Sequence, residues 1–374
     1  MKHIAKFFGL LFLSSMFLLS GCGDDDTNPV VRYDIVAGNI NSDSYSGGGT
    51  LVFEYSTDDG TSYSATAPVD LDDGQKVLVR VNDGTDPVSS ANFNFDWSAS
   101  STDPANTTTD VAEFTITDSD ITVNVSIADV IALVIIQRDN GQVKSVNTTS
   151  GATTDLFKFT LNSNDLVNLR SLVYNRSENT FNATSTAGAG GELYEIDVIS
   201  REATVLNDNA NDDWDGISDL VALSDGSLLS TLKDVALDEH VLMPFSDVGA
   251  AGTLVQFTGG TPDAGLGLVI DSNNDRWVGD YPGEIHISDN AGAISSTLTL
   301  SADASLPNID LTESYPQNLA WGADNVLYAT IYDDTNDVTY IVEVNTTSGE
   351  LSMVSDLGST RHHGLAGIPL HLTD

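Results

Sequence analysis

The sequence predicts an all-β chain of two units, a sandwich followed by a closed ring of repeated sheets. Short segments of alternating apolar and polar residues recur between turns rich in Gly, Ser, Thr, Asn and Asp, and no amphipathic helix of convincing length interrupts them. An apolar strand centred on a leucine then returns at Leu172, Leu220, Leu268, Leu319 and Leu365, at intervals of 48, 48, 51 and 46 residues. The 374 residues also exceed the usual span of one domain, about 100–200.

The N-terminus reads as an export leader. Lys2 and Lys6 precede an apolar run from Phe7 to Leu19, broken by Gly9, Ser14 and Ser15. A spanning helix needs about 20 apolar residues, so this shorter run is the core of a signal peptide over 1–21. Leu19-Ser20-Gly21-Cys22 resembles the lipobox of bacterial lipoproteins. That resemblance implies cleavage before Cys22 and acyl chains, palmitate among them, on its thiol and new amine. Cys22 is the only cysteine, so it has no internal disulfide partner. Gly23 follows where lipoprotein sorting would read an inner-membrane aspartate, which implies the outer membrane. Asp24-Asp25-Asp26 resembles the surface-export cluster of some outer-membrane lipoproteins, and reads equally as a solvated tether over 22–32. The leaflet that carries the chain stays open.

Composition narrows the partners. The whole chain carries a formal charge of −41, and loss of Lys2 and Lys6 leaves 12 basic against 55 acidic residues, a net charge of −43. Phosphate backbones need the opposite sign, so nucleic acid is excluded as a partner. Anionic lipid finds no basic patch either, which leaves the acyl chains as the membrane contact. A soluble, salt-tolerant monomer is expected.

Residues 33–129 read as the sandwich. Thr50 to Tyr55 and Lys76 to Val81 alternate, with Asp72-Asp73-Gly74 as the turn before the second. Phe93, Phe95 and Trp97 share one face, Phe114 and Ile116 another, and Ile121, Val123, Val125 and Ile127 a third. This pattern is expected to fold as an antiparallel sandwich. Through Phe93-Asn94-Phe95-Asp96-Trp97 and the closing alternation to Asp129, it resembles the cysteine-free immunoglobulin-like modules of bacterial surface proteins, including the polycystic-kidney-disease type. Such a module would be a stalk, with Trp97 in its core.

Residues 130–374 carry the repeat. Val146-Asn147-Thr148-Thr149-Ser150-Gly151 recurs letter for letter as Val344 to Gly349. Nine positions after the first four leucines stand Phe181, Leu229, Trp277 and Tyr328, each in a second strand. Third and fourth strands follow, and four strands per unit at this period is the pattern of a β-propeller blade. The unit at Val143 to Phe159 lacks an inner strand, which His363 to Leu370 can supply to clasp the ring. That makes five blades, or six if Ile121 to Ile127 opens one. Leu193-Tyr194-Glu195-Ile196-Asp197 and Val342 to Gly349 resemble units of bacterial NHL- and YVTN-type propellers. The resemblance implies the fold and leaves the function open.

Two sets of residues are candidate sites. Asn211-Asp212-Asp213-Trp214-Asp215-Gly216-Ile217-Ser218-Asp219 resembles the calcium loop of thrombospondin type 3 repeats and, more loosely, an EF-hand. Asn211, Asp213, Asp215 and Asp219 are its candidate calcium ligands. Asn211 departs from the usual first aspartate, and the stretch reads also as an acidic loop between blades, with Asp219 opening the next inner strand. The second set precedes the leucines, where one mouth of the central channel is expected. Arg170, Gln317, Asn318 and His363 are its candidate ligand-binding residues, with Asp219 falling at the same mouth and Arg361 and His362 nearby; ordinary polar filling of the channel is the alternative. Trp214 is expected to be exposed, and Trp277 and Tyr328 to be core. No nucleophile elbow, phosphate loop or dinucleotide fingerprint occurs.

The expected function is therefore an envelope lipoprotein whose propeller binds an unknown protein or glycan partner. The alternatives are a calcium-dependent propeller enzyme of the lactonase or lyase kind, and a periplasm-facing assembly scaffold.

Overall fold

The computed structural model describes residues 31–185, 191–210 and 213–373. Cys22, the leader, most of the tether and Asn211 lie outside the described residues. Within them the chain is all-β, with two short 3-10 turns and no helix long and apolar enough to cross a membrane.

The first unit has two three-stranded sheets. Ile35–Ser44, Ile121–Asp129 and Phe93–Asp96 form one, and Val52–Ser56, Lys76–Asn82 and Val111–Thr115 the other. Their inward residues share one core around Trp97 and Phe114, both fully buried. The alternation of period two places Phe93, Phe95, Val123, Val125 and Ile127 in that core. One expectation is corrected: the unit is not wholly antiparallel. Ile35–Ser44 runs parallel to Ile121–Asp129, because the entering chain pairs with the last strand rather than with its neighbour in sequence.

The rest of the chain is a β-propeller. Successive antiparallel strands build a first sheet from Leu169–Asn175, Thr180–Ser185, Leu193–Asp197 and Ala203–Asn207. A second comprises Trp214–Ala222, Leu228–Asp234, Glu239–Phe245 and Val255–Gln256. The third holds Leu268–Ile270, Arg276–Asp280, Glu284–Ser288 and Ile294–Thr299, and the fourth Ser314–Trp321, Leu327–Asp333, Val338–Val344 and Glu350–Asp356, with Ser301–Ala302 added in parallel at its outer edge. The closing sheet joins the two ends of the repeat region: His362–Pro369 is its innermost strand, beside Ile131–Gln137, Gln142–Val146 and Thr153–Lys158. The five innermost strands touch one another in a closed cycle.

Each repeat leucine is buried between sheets, as are Phe181, Leu229, Trp277 and Tyr328 in the second strands. Trp214 corrects another expectation. It opens the innermost strand of the second sheet rather than sitting in a loop, and is 3% exposed, edge-on to Phe245 at 5.6 Å.

Candidate functional site

The five inner strands bring equivalent positions to one mouth of the channel. Two residues before each repeat leucine stand Arg170, Ser218, Leu266, Gln317 and His363, and all five line one cavity of about 290 Å³. Ala264, Tyr281 and Tyr315 complete its wall. Register shifts place these side chains there. The inner pairings of the first, second and fourth sheets skip at Arg170, Ser218 and Gln317, and that of the closing sheet skips after His363. A bulge turns a strand locally and re-aims the side chain it carries.

The next residues toward the leucines form the floor. Asp219 accepts backbone N–H groups from its own strand and two neighbouring sheets: Leu220 at 3.0 Å, Leu268 at 2.9 Å and Leu319 at 3.3 Å. Burial pushes its carboxyl up to about 8, against the pull of these donors and of the Asn318 amide. Asn318 is wholly buried, donates to the Arg170 carbonyl at 3.0 Å and accepts the Gly364 N–H at 2.9 Å. Both residues stitch inner strands together beneath the cavity.

Three atoms of the collar are left over. Arg170 Nε, Gln317 Oε1 and His363 Nε2 are buried and have no hydrogen-bond partner. Leaving a buried polar group unpaired costs about 1–3 kcal/mol each, so three on one small cavity call for a partner from outside the fold. Three arginines gather there in a strongly acidic molecule. Burial pushes His363 down to about 3, and Arg170, Arg138 and Arg361 push the same way. Burial and Arg138 also lower Arg170, opposed by Tyr315 and Asp215. Arg361 donates to Tyr332 Oη at 2.9 Å and stacks on that ring, while Tyr315 lies edge to face with Tyr281 and tilted against Tyr332.

Of the residues expected at the mouth, Arg170, Gln317 and His363 line the cavity, and Asn318 is corrected to the floor. Ser218, Leu266, Tyr281 and Tyr315 were missed. The first two occupy the same place before their leucines and could have been found by that spacing. The tyrosines come from outside the repeat position.

Among the described residues, the acidic stretch does not bring its candidate ligands together. Asp213 and Asp215 are exposed at the start of an extended strand, whereas Asp219 is buried at the channel centre with both oxygens taken by N–H groups. The strand rise carries Asp219 away from the other two, so it is corrected from metal ligand to tie between sheets. Among the described residues, the group of three His, Asp or Glu side chains with mutually close ligand atoms is Asp280, Glu284 and His286 instead.

No protein-family model and no curated protein matches the chain. Solved structures that resemble it include the nidogen/laminin complex, at 12% identity and TM-score 0.40 over 63% of this chain and 98% of that one. A gluconolactonase from Xanthomonas campestris matches at 13% identity and TM-score 0.37, over 58% and 69% of the two chains. A putative 6-phosphogluconolactonase from Bacteroides uniformis matches at 14% and 0.36, over 64% and 99%. At these scores the likenesses carry no argument about activity.

Proposed function

We propose that the chain is a cell-envelope lipoprotein that binds a small hydroxylated anion, a sugar acid, in the mouth of a five-bladed propeller. In this reading Cys22 carries the acyl anchor in the outer membrane, residues 22–32 are the tether, 33–129 an immunoglobulin-like stalk and 130–374 the head. Five blades are supported over six because Ile121–Asp129 pairs with Ile35–Ser44 and Phe93–Asp96 and opens no blade.

That Arg170, Gln317 and His363 all line one cavity, each with a buried side-chain atom lacking a partner, carries the binding assignment. A carboxylate satisfies the guanidinium, which favours charged acceptors. A ligand hydroxyl satisfies the Gln317 oxygen, and the faces of Tyr281 and Tyr315 offer apolar walls. The cavity is at the small end for ligand sites, about 300–1,000 Å³, which suits a single sugar unit. Binding is favoured over catalysis because a histidine pushed down to about 3 is a weak general base near neutrality.

Calorimetric titration with galacturonate and galactose tests this. Galacturonate is expected to bind and galactose not to, with Arg170→Gln weakening the acid about ten- to a hundredfold, as for a hydrogen bond to a charged group. Equal binding of both sugars, or an indifferent Arg170→Gln, would end the assignment. The anchor is checked separately: Cys22→Ser is expected to move the chain from the membrane fraction to the soluble one.

A further inference from the structure

Behind one wall of the mouth cavity, the hairpin of the third sheet gathers three ligating side chains. Asp280 and Glu284 are paired across the hairpin, and His286 lies two residues further along, opposite Val278. Side chains two apart on a strand share a face, so all three project to the same side. Their ligand atoms lie within 4.8 Å of one another, with Asp280 and His286 more than nine-tenths buried and Glu284 half-buried. We infer that Asp280, Glu284 and His286 form a site for a divalent transition metal, Zn²⁺ being the best match.

The argument starts from a mismatch in partners. His286 Nε2 is 2.9 Å from Asp280 Oδ2 and 4.0 Å from Glu284 Oε2. One nitrogen carries at most one proton, which serves Asp280 and leaves the second carboxylate without a share. A metal ion at the centre serves both carboxylates and the nitrogen together. Zn²⁺ bonds of about 2.0–2.1 Å set tetrahedral ligand atoms roughly 3.3 Å apart, so Asp280 and His286, at 2.9 Å, must part slightly and half-buried Glu284, at 4.0 Å from the nitrogen, must swing in.

The surroundings already orient the ligands. His286 Nδ1 lies 2.8 Å from Thr297 Oγ1, a hydroxyl that donates to the bare nitrogen or accepts from Nδ1–H. The imidazole therefore keeps its partner when Nε2 gives up its proton to bind metal. Asp280 is held by the N–H groups of Ala264 at 2.7 Å and Asp263 at 3.0 Å. Three protein ligands of this N, O, O type leave a fourth position for water. Ala264 and Tyr281, on either side of this node, both line the mouth cavity.

The test uses the full chain in a Cys22→Ser background, which removes the competing thiol. After chelator treatment, Zn²⁺ is titrated against a competing zinc indicator, and melting is followed with and without metal. One equivalent is expected to bind and to raise the melting temperature. His286→Gln is expected to abolish both effects, Glu284→Gln to weaken binding at least tenfold, and Thr297→Val to weaken it about tenfold through lost orientation. Glu284 is partly exposed, so Glu284→Gln keeps the test sound should His286→Gln fail to fold. Zn²⁺ binding unchanged by Glu284→Gln and Thr297→Val, or no stoichiometric binding, would overturn the site. Galacturonate binding is measured apart from this, so either assignment can fail alone.

Discussion

His363 is held neutral by its burial and by the three arginines around it, Arg170, Arg138 and Arg361. Asp215, Tyr315 and Tyr332 belong to the same neighbourhood, acting on Arg170 and Arg361. The folded pKa of about 3 lies below the ordinary value of 6.5, so the unfolded chain takes up a proton first as pH falls. Stability from this residue is thus complete above about 6.5 and is lost on the way down to about 3. Each pH unit in that window is worth about 1.4 kcal/mol at most. Between pH 6.5 and 5 the wild type should lose about 2 kcal/mol more than His363→Gln; parallel urea-melt curves for the two would contradict this. The residue scale also shows how far spacing carries a reading. Arg170, Gln317 and His363 were legible because they stand at a fixed distance before a repeated leucine and bear polar groups. Asp219 and Asn318 obey nearly the same rule but occupy the floor, and only the bulge in each strand separates wall from floor. A bulge has no mark in a single sequence when the inserted residue is Arg, Ser or Gln.

At the scale of the element, the outer turn of every sheet is one device used five times. A residue in the left-handed region stands at Gly151, Arg201, Gly249, Gly292 and Gly349. In each case its carbonyl accepts a hydrogen bond from the outermost strand of the preceding sheet or from the chain that runs on from it: from Ser355 Oγ, Thr160 N–H, Asn207 Nδ2, Thr258 N–H and Ser301 N–H respectively. The repeated hexapeptide shows why its letters recur. Asn147 accepts the N–H groups of Thr149 and Ser150, and Asn345 those of Thr347 and Ser348, closing the same turn twice. A Cβ on Gly349 would lie 2.3 Å from the Thr299 carbonyl, with φ at +75°. Gly349→Ala therefore meets both backbone strain and a clash with backbone, and is expected to cost about 2–3 kcal/mol. Gly358, also at positive φ but facing open space, supplies the comparison, and its alanine variant should cost about 1 kcal/mol. Equal losses for the two in denaturant melts would mean the approach of neighbouring sheets is not what selects glycine. The identical hexapeptides were visible as a repeat, whereas Arg201, in the same role without glycine, was not. An arginine reaches the left-handed region only because its surroundings hold it there.

The whole molecule depends on a junction with almost no chain to spare. Ile121–Asp129 closes the first unit, and Ile131–Gln137 is already the second strand of the closing sheet, so Val130 alone separates them. Leu370 N–H donates to the Val130 carbonyl at 2.7 Å, which ties the last strand of the ring to the same point. Beside it, Phe93 of the first unit packs on His371 at 5.2 Å, and Asp129 pairs with Arg176 of the first propeller sheet at 2.5 Å. That pair is held by charge rather than by aligned hydrogen bonds, since Asp129 Oδ2 lacks hydrogen-bond geometry to any partner. The Asp129 side chain is 1% exposed, so removing its cation strands a buried carboxylate in a chain that is already strongly negative. A fully buried pair broken on one side costs about 3–5 kcal/mol, and the 37% exposure of Arg176 lets water offset part of that. Arg176→Ala is therefore expected to destabilise by about 2 kcal/mol. Because the loss falls at the junction, melting should split into two transitions, one for each unit. A single transition would mean that the short connection through Val130, rather than the Asp129–Arg176 contact, makes the two units unfold together.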